Sequence, residues 1–249
     1  MIRRHNVSAM LCSQALGGRQ DLVVSSPAAG TAARPGTTSF PVATESTSSH
    51  TIHAQTRLKP KRRPKAVHQP RTSIEEEHVF VLTLSTAPSL HSPVNALREK
   101  HFPAHLNRTP AHLTMFHALP GSHLPSIITA IEKECQDLGP FKLATGSLFR
   151  MRRGFGITVG PGQETARLLH EVFQKRWTDF LSEQDRKPWR PHWTIQNKVN
   201  DPAVVEGTMQ EVEEGFRGAE GIAEGCVLWR YEEGGRWRLE RMFEFGGAE

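Results

Sequence analysis

The sequence contains one short pattern twice, and this duplication limits the folds that the chain can adopt. The order histidine, apolar, threonine, apolar reads HLTM at 112–115 and HWTI at 192–195, and each copy follows a proline within two residues. The two histidines, His112 and His192, lie 80 positions apart (192 − 112). Such spacing is typical of two matching half-domains, each of which contributes one copy.

The pattern fits a β-strand, because successive side chains of a strand point to opposite faces. In each copy the histidine and the threonine share one face, while the apolar residues point into a core. These apolar residues are Leu113, Met115, Trp193 and Ile195. Two such strands that face each other present two imidazoles and two hydroxyls across a cleft.

This set of groups suits an in-line displacement at phosphorus. A neutral histidine accepts a proton from the attacking hydroxyl or water, and a protonated histidine donates one to the leaving oxygen. Each threonine hydroxyl can donate to a non-bridging phosphoryl oxygen. We therefore predict His112 and His192 as catalytic and Thr114 and Thr194 as phosphate-binding, with no metal and no cofactor. The sequence does not assign which histidine is the base.

The two motifs resemble those of the two-histidine (2H) phosphoesterases, the superfamily of the 2′-5′ RNA ligases and cyclic-nucleotide phosphodiesterases. Its hallmark is a pair of His-apolar-[Thr/Ser]-apolar motifs at about this separation, and the resemblance covers about residues 78–245. It implies an α+β, two-lobed and pseudo-symmetric LigT-like fold, in which antiparallel sheets flanked by helices surround a central cleft.

Charge and composition divide the chain into a tail and a domain. The net charge is +5, yet residues 1–74 contain 11 Lys and Arg against 2 Asp and Glu, while residues 75–249 contain 20 against 24. Overall basicity is therefore poor evidence for RNA binding by the domain. The Ser-, Thr- and Pro-rich segment 1–74 predicts a disordered basic tail with a targeting segment as one interpretation, and residues 75–249 predict one 2H-like domain.

The tail leaves the destination of the protein open. Residues 1–20 contain three arginines and no acidic residue, which fits a mitochondrial presequence or an ordinary disordered terminus. The basic run at 59–65 fits a nuclear import signal, a nucleic-acid tether or a solvated linker. We predict an intracellular protein, cytoplasmic or nuclear, with the mitochondrion as an alternative. Three distant cysteines predict no disulfide framework, and no apolar run is long enough for a membrane span.

Hydrophobic periodicity predicts the order of elements within the domain. The expected strands are 79–84, 111–118, 141–149, 155–159, 192–199, 225–231 and 236–245, and the expected helices are 93–100, 124–138, 164–183 and 202–216. Ser92 and Pro93 are expected to begin the first helix. After an initial strand and helix, the order motif strand, helix and strand pair occurs twice, with one helix between the two copies.

Several further residues are candidates for substrate binding. Arg153 and Arg190 could contact a second phosphate, and Trp189 and Phe149 could stack on a base. Histidines also crowd around the first motif, but no Cys or carboxylate cluster completes a metal shell, so we predict none. His117 would share no face with His112 on a regular strand and is not predicted to be catalytic.

Three functions remain open at this point. The first is a monomeric, metal-independent phosphodiesterase acting on a nucleotide or RNA, for which the resemblance favours a 2′,3′-cyclic phosphate end. Ligation through the reverse reaction ranks below hydrolysis, because water is abundant. The second is a module that binds a nucleotide or RNA end without turnover, although a pure binder needs no acid–base pair. The third is a structural motif attached to a functional basic tail.

Overall fold

The computed structural model describes residues 69–246, so the predicted tail up to residue 68 lies outside the described residues. Within this range the chain forms seven strands and four α-helices. Their order is β1 (Val79–Thr86), α1 (Pro88–His101), β2 (Leu113–Pro120), α2 (Leu124–Asp137), β3 (Phe141–Met151), β4 (Gly154–Val159), α3 (Gln163–Trp177), β5 (His192–Gln196), α4 (Pro202–Gly215), β6 (Glu220–Tyr231) and β7 (Trp237–Glu244). Short 3₁₀ turns follow α1, β2 and β6. The predicted α+β class and the repeated order of elements are confirmed.

The strands pair in the order β2-β1-β6-β3-β4-β5, with β7 also paired to β6, and every pairing is antiparallel. Strand β3 belongs to both lobes, because residues 141–144 pair with β6 and residues 145–151 pair with β4. The two motif strands, β2 and β5, are therefore the two ends of one continuous path of paired strands.

Each of the two strand pairs, β3–β4 and β6–β7, belongs to the lobe of the motif that it does not follow in sequence. The pair β3–β4 follows the first motif in sequence but pairs with β5, which carries the second motif. The pair β6–β7 follows the second motif but joins β1, which pairs with the first motif strand. Each lobe is thus built from both halves of the sequence.

The apolar residues of both motifs lie in the core, as the alternation predicted. Leu113, Met115, Trp193 and Ile195 are each no more than 1% exposed. They pack with apolar side chains from all four helices and most strands in one cluster. Because these residues are buried, the threonines lie on the opposite face of each strand, which is half-buried.

Two predicted helix boundaries were wrong. Helix α1 begins at Pro88, so Pro93 lies inside it and does not start it. Pro88 already supplies the proline that suits a first turn, and the buried positions Leu90, Val94 and Arg98 recur every four residues from there. Helix α3 ends at Trp177 and not near Glu183. The chain turns there, and the Trp177 carbonyl accepts from the N–H groups of both Phe180 and Leu181.

Two details of the motif strands also differ from the prediction. Strand β5 ends at Gln196 and not near Val199, since Lys198 adopts a left-handed conformation with φ 66° that interrupts an extended chain. Strand β2 is bulged, because Thr83 pairs with Thr114 while Leu82 pairs with Phe116, which leaves Met115 as an extra residue. Met115 and Phe116 are both buried, and His117 is half-buried on the side of Thr114.

Residues 69–78 pack on the domain before β1 begins. The Arg71 N–H donates to the Phe180 carbonyl at 2.9 Å, and the Glu76 carboxylate accepts from the Ser122 hydroxyl and N–H. None of the helices within residues 69–246 combines the length and the apolar character needed to cross a bilayer.

Candidate active site

Both motif histidines are oriented by the same backbone contact. His112 directly precedes β2 and His192 opens β5, and the Nδ1 atom of each lies 2.7 Å from the carbonyl oxygen two residues earlier, in Pro110 and Arg190. A carbonyl oxygen only accepts, so Nδ1 carries the proton of each neutral ring. The Nε2 atom of each ring is then left unprotonated and able to accept a proton.

Each motif histidine also contacts an aromatic ring from the strand pair that crosses into its lobe. The Trp237 ring lies 4.5 Å from the His112 ring, and the Phe149 ring meets the His192 ring edge-on at 5.2 Å. Trp237 begins β7 and Phe149 lies in β3. The pseudo-symmetry of the motifs thus extends to the surroundings of their histidines.

The position of the Phe149 ring depends on a glycine. Phe149 pairs with Gly156, which in turn pairs with Thr194 of the second motif. A Cβ at position 156 would stand 2.7 Å from the Phe149 ring and 2.6 Å from the Trp193 carbonyl oxygen. Glycine is therefore required for this close approach of ring and backbone beside His192.

The two motif threonines are half-buried, and their hydroxyls are available for a ligand. Neither hydroxyl hydrogen-bonds to another residue of the described range 69–246, whereas both backbone carbonyls accept from side chains. The Thr194 carbonyl accepts from the Arg98 guanidinium at 2.7 Å, and the Thr114 carbonyl accepts from the Trp189 indole N–H at 2.8 Å. The two acceptors thus belong to β5 and β2, the strands at the two ends of the strand order.

The Arg98 bond connects the two halves of the sequence. Arg98 comes from α1, ahead of the first motif, yet it bonds to the second motif; its Nε also donates to the Asn107 side chain and the Thr109 carbonyl, both at 3.1 Å. The guanidinium lies over the Phe102 ring at 4.0 Å and is 5% exposed. Burial lowers the pKa of Arg98 to about 10, which still leaves it a cation at neutral pH.

The surroundings of His112 keep its imidazole neutral. Burial and, after it, the positive charge of Arg98 lower the pKa of His112 to about 4, although the hydrogen bond to the Pro110 carbonyl acts to raise it; proximity to His117 and His192 adds smaller lowering effects. At neutral pH the His112 ring is consequently uncharged. With Nδ1 protonated and Nε2 free, it has the form required of a general base.

A second group of polar side chains lies beneath and beside β2. The Asp185 carboxylate accepts from the N–H groups of His117 and Ala118, from His117 Nδ1 at 3.0 Å and from the Ser182 hydroxyl. Burial acts to raise the pKa of Asp185, but the hydrogen bonds and charge of His117 and the bond from Ser182 bring it below its usual value. This carboxylate attaches the segment before the second motif to the first motif strand.

The His170 ring is stacked between Phe116 at 4.5 Å and Trp189 at 4.8 Å. It is 2% exposed, and burial lowers its pKa to about 4. The stack supports Trp189, whose indole N–H reaches the Thr114 carbonyl.

The other predicted binding residues have different positions. Phe149 is at the site beside His192, and Trp189 has one face against His170, with its N–H committed to Thr114. The Arg190 side chain is exposed, and its carbonyl orients His192. Arg153 donates to the Lys198 carbonyl at the end of β4 and β5 opposite to the Thr158–His192 pair, so it is not brought to the histidines.

Sequence reasoning missed Arg98, Trp237 and the pairing of His117 with Asp185. Arg98 had a signal, because it occupies the apolar stripe of α1 four residues after Val94. Trp237 could have been found by asking which aromatic of the second strand pair corresponds to Phe149. The His117 contact had no signal, since it depends on the bulge at Met115.

Within residues 69–246, no three or more His, Cys, Asp or Glu side chains are grouped so that they could hold a metal ion. The histidines near the first motif thus form no such cluster with the acidic residues around them.

Comparison with known proteins identifies the family. The family model described as the 2′-5′ RNA ligase superfamily matches residues 86–235, which include both motifs. The chain belongs to this superfamily, and the resemblance to the two-histidine phosphoesterases is confirmed. It is accordingly an enzyme of the two-histidine phosphoesterase type. A search of curated proteins found none that matches.

Several solved structures are similar to the chain. TT0787 of Thermus thermophilus is 17% identical over 69% of this chain and 100% of its own, with a TM-score of 0.46. E. coli LigT, solved in complex with NADP+, is 13% identical over 68% of this chain and 98% of its own, with a TM-score of 0.46. A protein described as a phosphoesterase is 13% identical over 68% and 99%, with a TM-score of 0.48.

Proposed function

We propose that the protein is a metal-independent phosphodiesterase that opens a 2′,3′-cyclic phosphate on a nucleotide or an RNA end. The observation that carries this proposal is the matched pair of imidazoles, each with Nδ1 on a carbonyl two residues earlier and Nε2 free. One motif histidine can then accept a proton while the other donates one. The family assignment supports the same chemistry.

In this reaction His112 is the base and His192 the acid. His112 Nε2 takes a proton from water as the water oxygen bonds to phosphorus. The bond between phosphorus and one ribose oxygen breaks, and His192, which carries a second proton on Nε2 for this step, donates that proton to the leaving oxygen. The step leaves His112 protonated and His192 neutral, and proton exchange with water restores the starting forms. The low pKa of His112 supports this assignment, because a ring that is neutral before substrate binds is ready to accept.

The negative charge of the bound phosphodiester raises the pKa of the base, His112. An anion beside an imidazole favours its protonated form, so substrate binding raises the pKa of His112 from about 4 toward the working pH. A base is most effective when its pKa lies near that pH. The hydroxyls of Thr114 and Thr194 donate to the non-bridging oxygens, where charge develops in the transition state.

Two other functions remain candidates for the same site. Ligation to a 2′-5′ linkage opens the same cyclic phosphate with an RNA hydroxyl in place of water as the nucleophile, and the family description favours keeping it. A module that only binds a nucleotide end would not need a pair of oriented imidazoles, so we rank it last.

The proposal is tested with the purified full-length protein and 2′,3′-cyclic mononucleotides. We expect ring opening that persists in EDTA, and loss of at least about a thousandfold in turnover for His112→Ala and for His192→Ala, since each removes one proton-transfer group. His105→Ala replaces an exposed histidine outside the motifs and serves as the matched control. Binding without product would support the non-catalytic alternative, and loss of activity in EDTA would reject the metal-free reaction.

A further inference from the structure

His117 lies beside the proposed site and is fixed by a buried carboxylate. Its Nδ1 is 3.0 Å from an oxygen of Asp185, and the Asp185 side chain is 1% exposed. The remaining bonds to Asp185 come from the N–H groups of His117 and Ala118 and from Ser182. The carboxylate is therefore held by backbone as well as side-chain donors, and it sets the orientation of the His117 ring.

The free nitrogen of His117 is available to a ligand. The bulge at Met115 places His117 on the half-buried side of β2 that carries Thr114, and 38% of its side chain is exposed. Its Nε2 has no hydrogen-bond partner among residues 69–246. The Asp185 carboxylate only accepts, so His117 Nδ1 carries a proton; when the ring is doubly protonated, its Nε2–H is also available as a donor to an anion.

The separation of His112 and His117 along β2 indicates which part of a substrate His117 would contact. His117 is five positions beyond His112, at most about 16 Å of extended chain and less across the bulge. His117 is nevertheless close enough to contribute to lowering the pKa of His112. This separation suits a second group of the same substrate, adjacent to the phosphate held between His112 and His192.

Further cations lie next to Asp185, on the segment that runs beside β2. The segment before the second motif is attached to β2 through Asp185 at His117 and Ala118 and through Trp189 at Thr114, so it runs antiparallel beside the strand. Arg186 and Lys187 lie between these two attachments. Both line an open cleft of about 490 Å³ together with Arg71 and Glu183, and Glu183 is 3.7 Å from Lys187. Three cations against one carboxylate leave the cleft positive.

We propose that His117, held by Asp185, binds the phosphate next to the reacting one in a nucleotide strand, and that Arg186, Lys187 and Arg71 in the adjacent cleft bind further phosphates of the same strand. The proposal rests on the proposed function for the position of the reacting phosphate. It makes the preferred substrate an oligoribonucleotide with a terminal 2′,3′-cyclic phosphate, and it makes a mononucleotide a poor substitute.

The test compares two pairs of probes on the full-length protein. The turnover pair is 2′,3′-cyclic AMP and a tetra-adenylate ending in a 2′,3′-cyclic phosphate. The binding pair is 3′-AMP and a tetra-adenylate ending in a 3′-phosphate, which requires no reaction. We expect the tetranucleotide to bind at least about tenfold more tightly than the mononucleotide, as one additional hydrogen bond to a charged group provides. The kcat/KM values should favour the tetranucleotide similarly.

His117→Gln is the decisive variant, because glutamine cannot carry the charge of the imidazole. We expect it to remove most of the tetranucleotide preference, measured as the ratio of the two KM values within each protein. The loss of the His117 charge also acts on His112, but that effect is common to both substrates and cancels in the ratio. His105→Gln should change neither substrate. Asp185→Asn should resemble His117→Gln, and if it fails to fold, Arg186→Gln with Lys187→Gln provides a second test through a weaker salt dependence of tetranucleotide binding.

Two results would overturn the inference. The first is equal affinity of the wild type for the two 3′-phosphate probes. The second is an equal loss in His117→Gln on mononucleotide and tetranucleotide, which would place His117 at the reacting phosphate or in a purely structural role. Failure of the proposed function is a different result: neither cyclic substrate reacts, while the tetranucleotide still binds more tightly and loses this advantage in His117→Gln, which would support the second phosphate site.

Discussion

The Arg98 guanidinium donates a hydrogen bond of 2.7 Å to the backbone carbonyl of Thr194. It thereby joins the helix ahead of the first motif to the strand of the second. The Trp189 indole makes the reciprocal connection, from the segment ahead of the second motif to the Thr114 carbonyl of the first. The two motif strands are the ends of the strand path, and each bond ties one of them to the segment ahead of the other motif. We expect the spacing of the two histidines to depend on both bonds.

Replacing Arg98 should affect both stability and the pH dependence of turnover. Arg98→Met leaves three oxygen acceptors without their donor, and we expect a loss of about 3 kcal/mol in the free energy of unfolding. It also removes a positive charge that lowers the pKa of His112, so the acid limb of kcat/KM should move to higher pH. Urea unfolding and a pH–rate profile measure these effects.

Arg98→Lys is the matched control for the charge. Lysine keeps the cation but not the planar fork of donors, so we expect lower stability with an acid limb close to that of the wild type. An acid limb that moves equally in both variants would contradict an electrostatic effect of Arg98 on His112.

Trp189→Phe removes the donor to the Thr114 carbonyl while keeping a ring to stack on His170. We expect a cost of about 1 kcal/mol in unfolding free energy, the typical net contribution of one hydrogen bond. The larger effect should be on kcat, because the position of Thr114 and His112 relative to the second motif changes. Unchanged kcat in a folded variant would mean that the bond to Thr114 does not set the motif spacing.

The pH dependence of the two kinetic parameters should differ in a defined direction. The acid limb of kcat/KM reports the free enzyme and should fall below about pH 4, where the His112 base becomes protonated. The acid limb of kcat reports the complex, in which the anionic substrate raises the pKa of His112, so it should lie at higher pH. If kcat/KM instead decreases from pH 4 to pH 6, His112 is the acid and the assignment of roles is reversed.

The threonine hydroxyls should contribute in the transition state. Thr114→Val and Thr194→Val keep the shape of the side chain and remove the donor, and we expect each to lower kcat by about a hundredfold, as loss of one oxyanion donor does. Thr114→Ser and Thr194→Ser retain a hydroxyl and should keep most of the activity. Kinetics on 2′,3′-cyclic AMP measure the difference, and equal activity of the valine and serine variants would argue against phosphoryl binding by these residues.

His170 should make the folded state sensitive to mild acid. Burial holds its pKa near 4, below the ordinary 6.5, so between these values the unfolded chain binds a proton that the folded protein does not. Stability should fall as the pH drops from about 6.5 to about 4, by up to about 3 kcal/mol from this residue.

His170→Phe preserves an aromatic ring between Phe116 and Trp189 and removes the titrating group. We expect its Tm to decline less than that of the wild type between pH 7 and pH 4. A parallel decline in both proteins would show that other groups, such as His112, account for the acid sensitivity.

The parts of the site that were predictable from the sequence depend on local alternation. His112, Thr114, His192 and Thr194 could be placed on strand faces because their apolar neighbours occupy every second position, and those neighbours are buried. The four helices were found for a similar reason, although the apolar periodicity of α3 also includes Leu168 and Val172, which are 63% and 39% exposed. Periodicity alone does not show which residues of an apolar helix face are buried when that face is wider than the surface on which the helix packs.

The remaining features depend on contacts between distant parts of the chain. His117 lies on the half-buried side of β2 with Thr114 because Met115 is an extra residue relative to β1, which is a property of the pairing and not of β2 itself. Trp237 reaches His112 because β6 and β7 pair with the opposite lobe. Arg153 looked suitable because it is basic and near a turn, but the register of β4 and β5 places that turn away from His192.

Strand β6 lies between β1 and β3 and therefore joins the lobe of the first motif to the strand that continues into the lobe of the second. A chain cleaved between α3 and β5 would separate β6 from β1 and β3 and leave it paired with β7 alone. Neither fragment would retain a complete sheet, and the amino-terminal fragment would hold β3 and β4 without the motif strand on which they pack. Activity should return only when the two fragments are mixed, because the halves of this protein complement each other and are not two small enzymes in series.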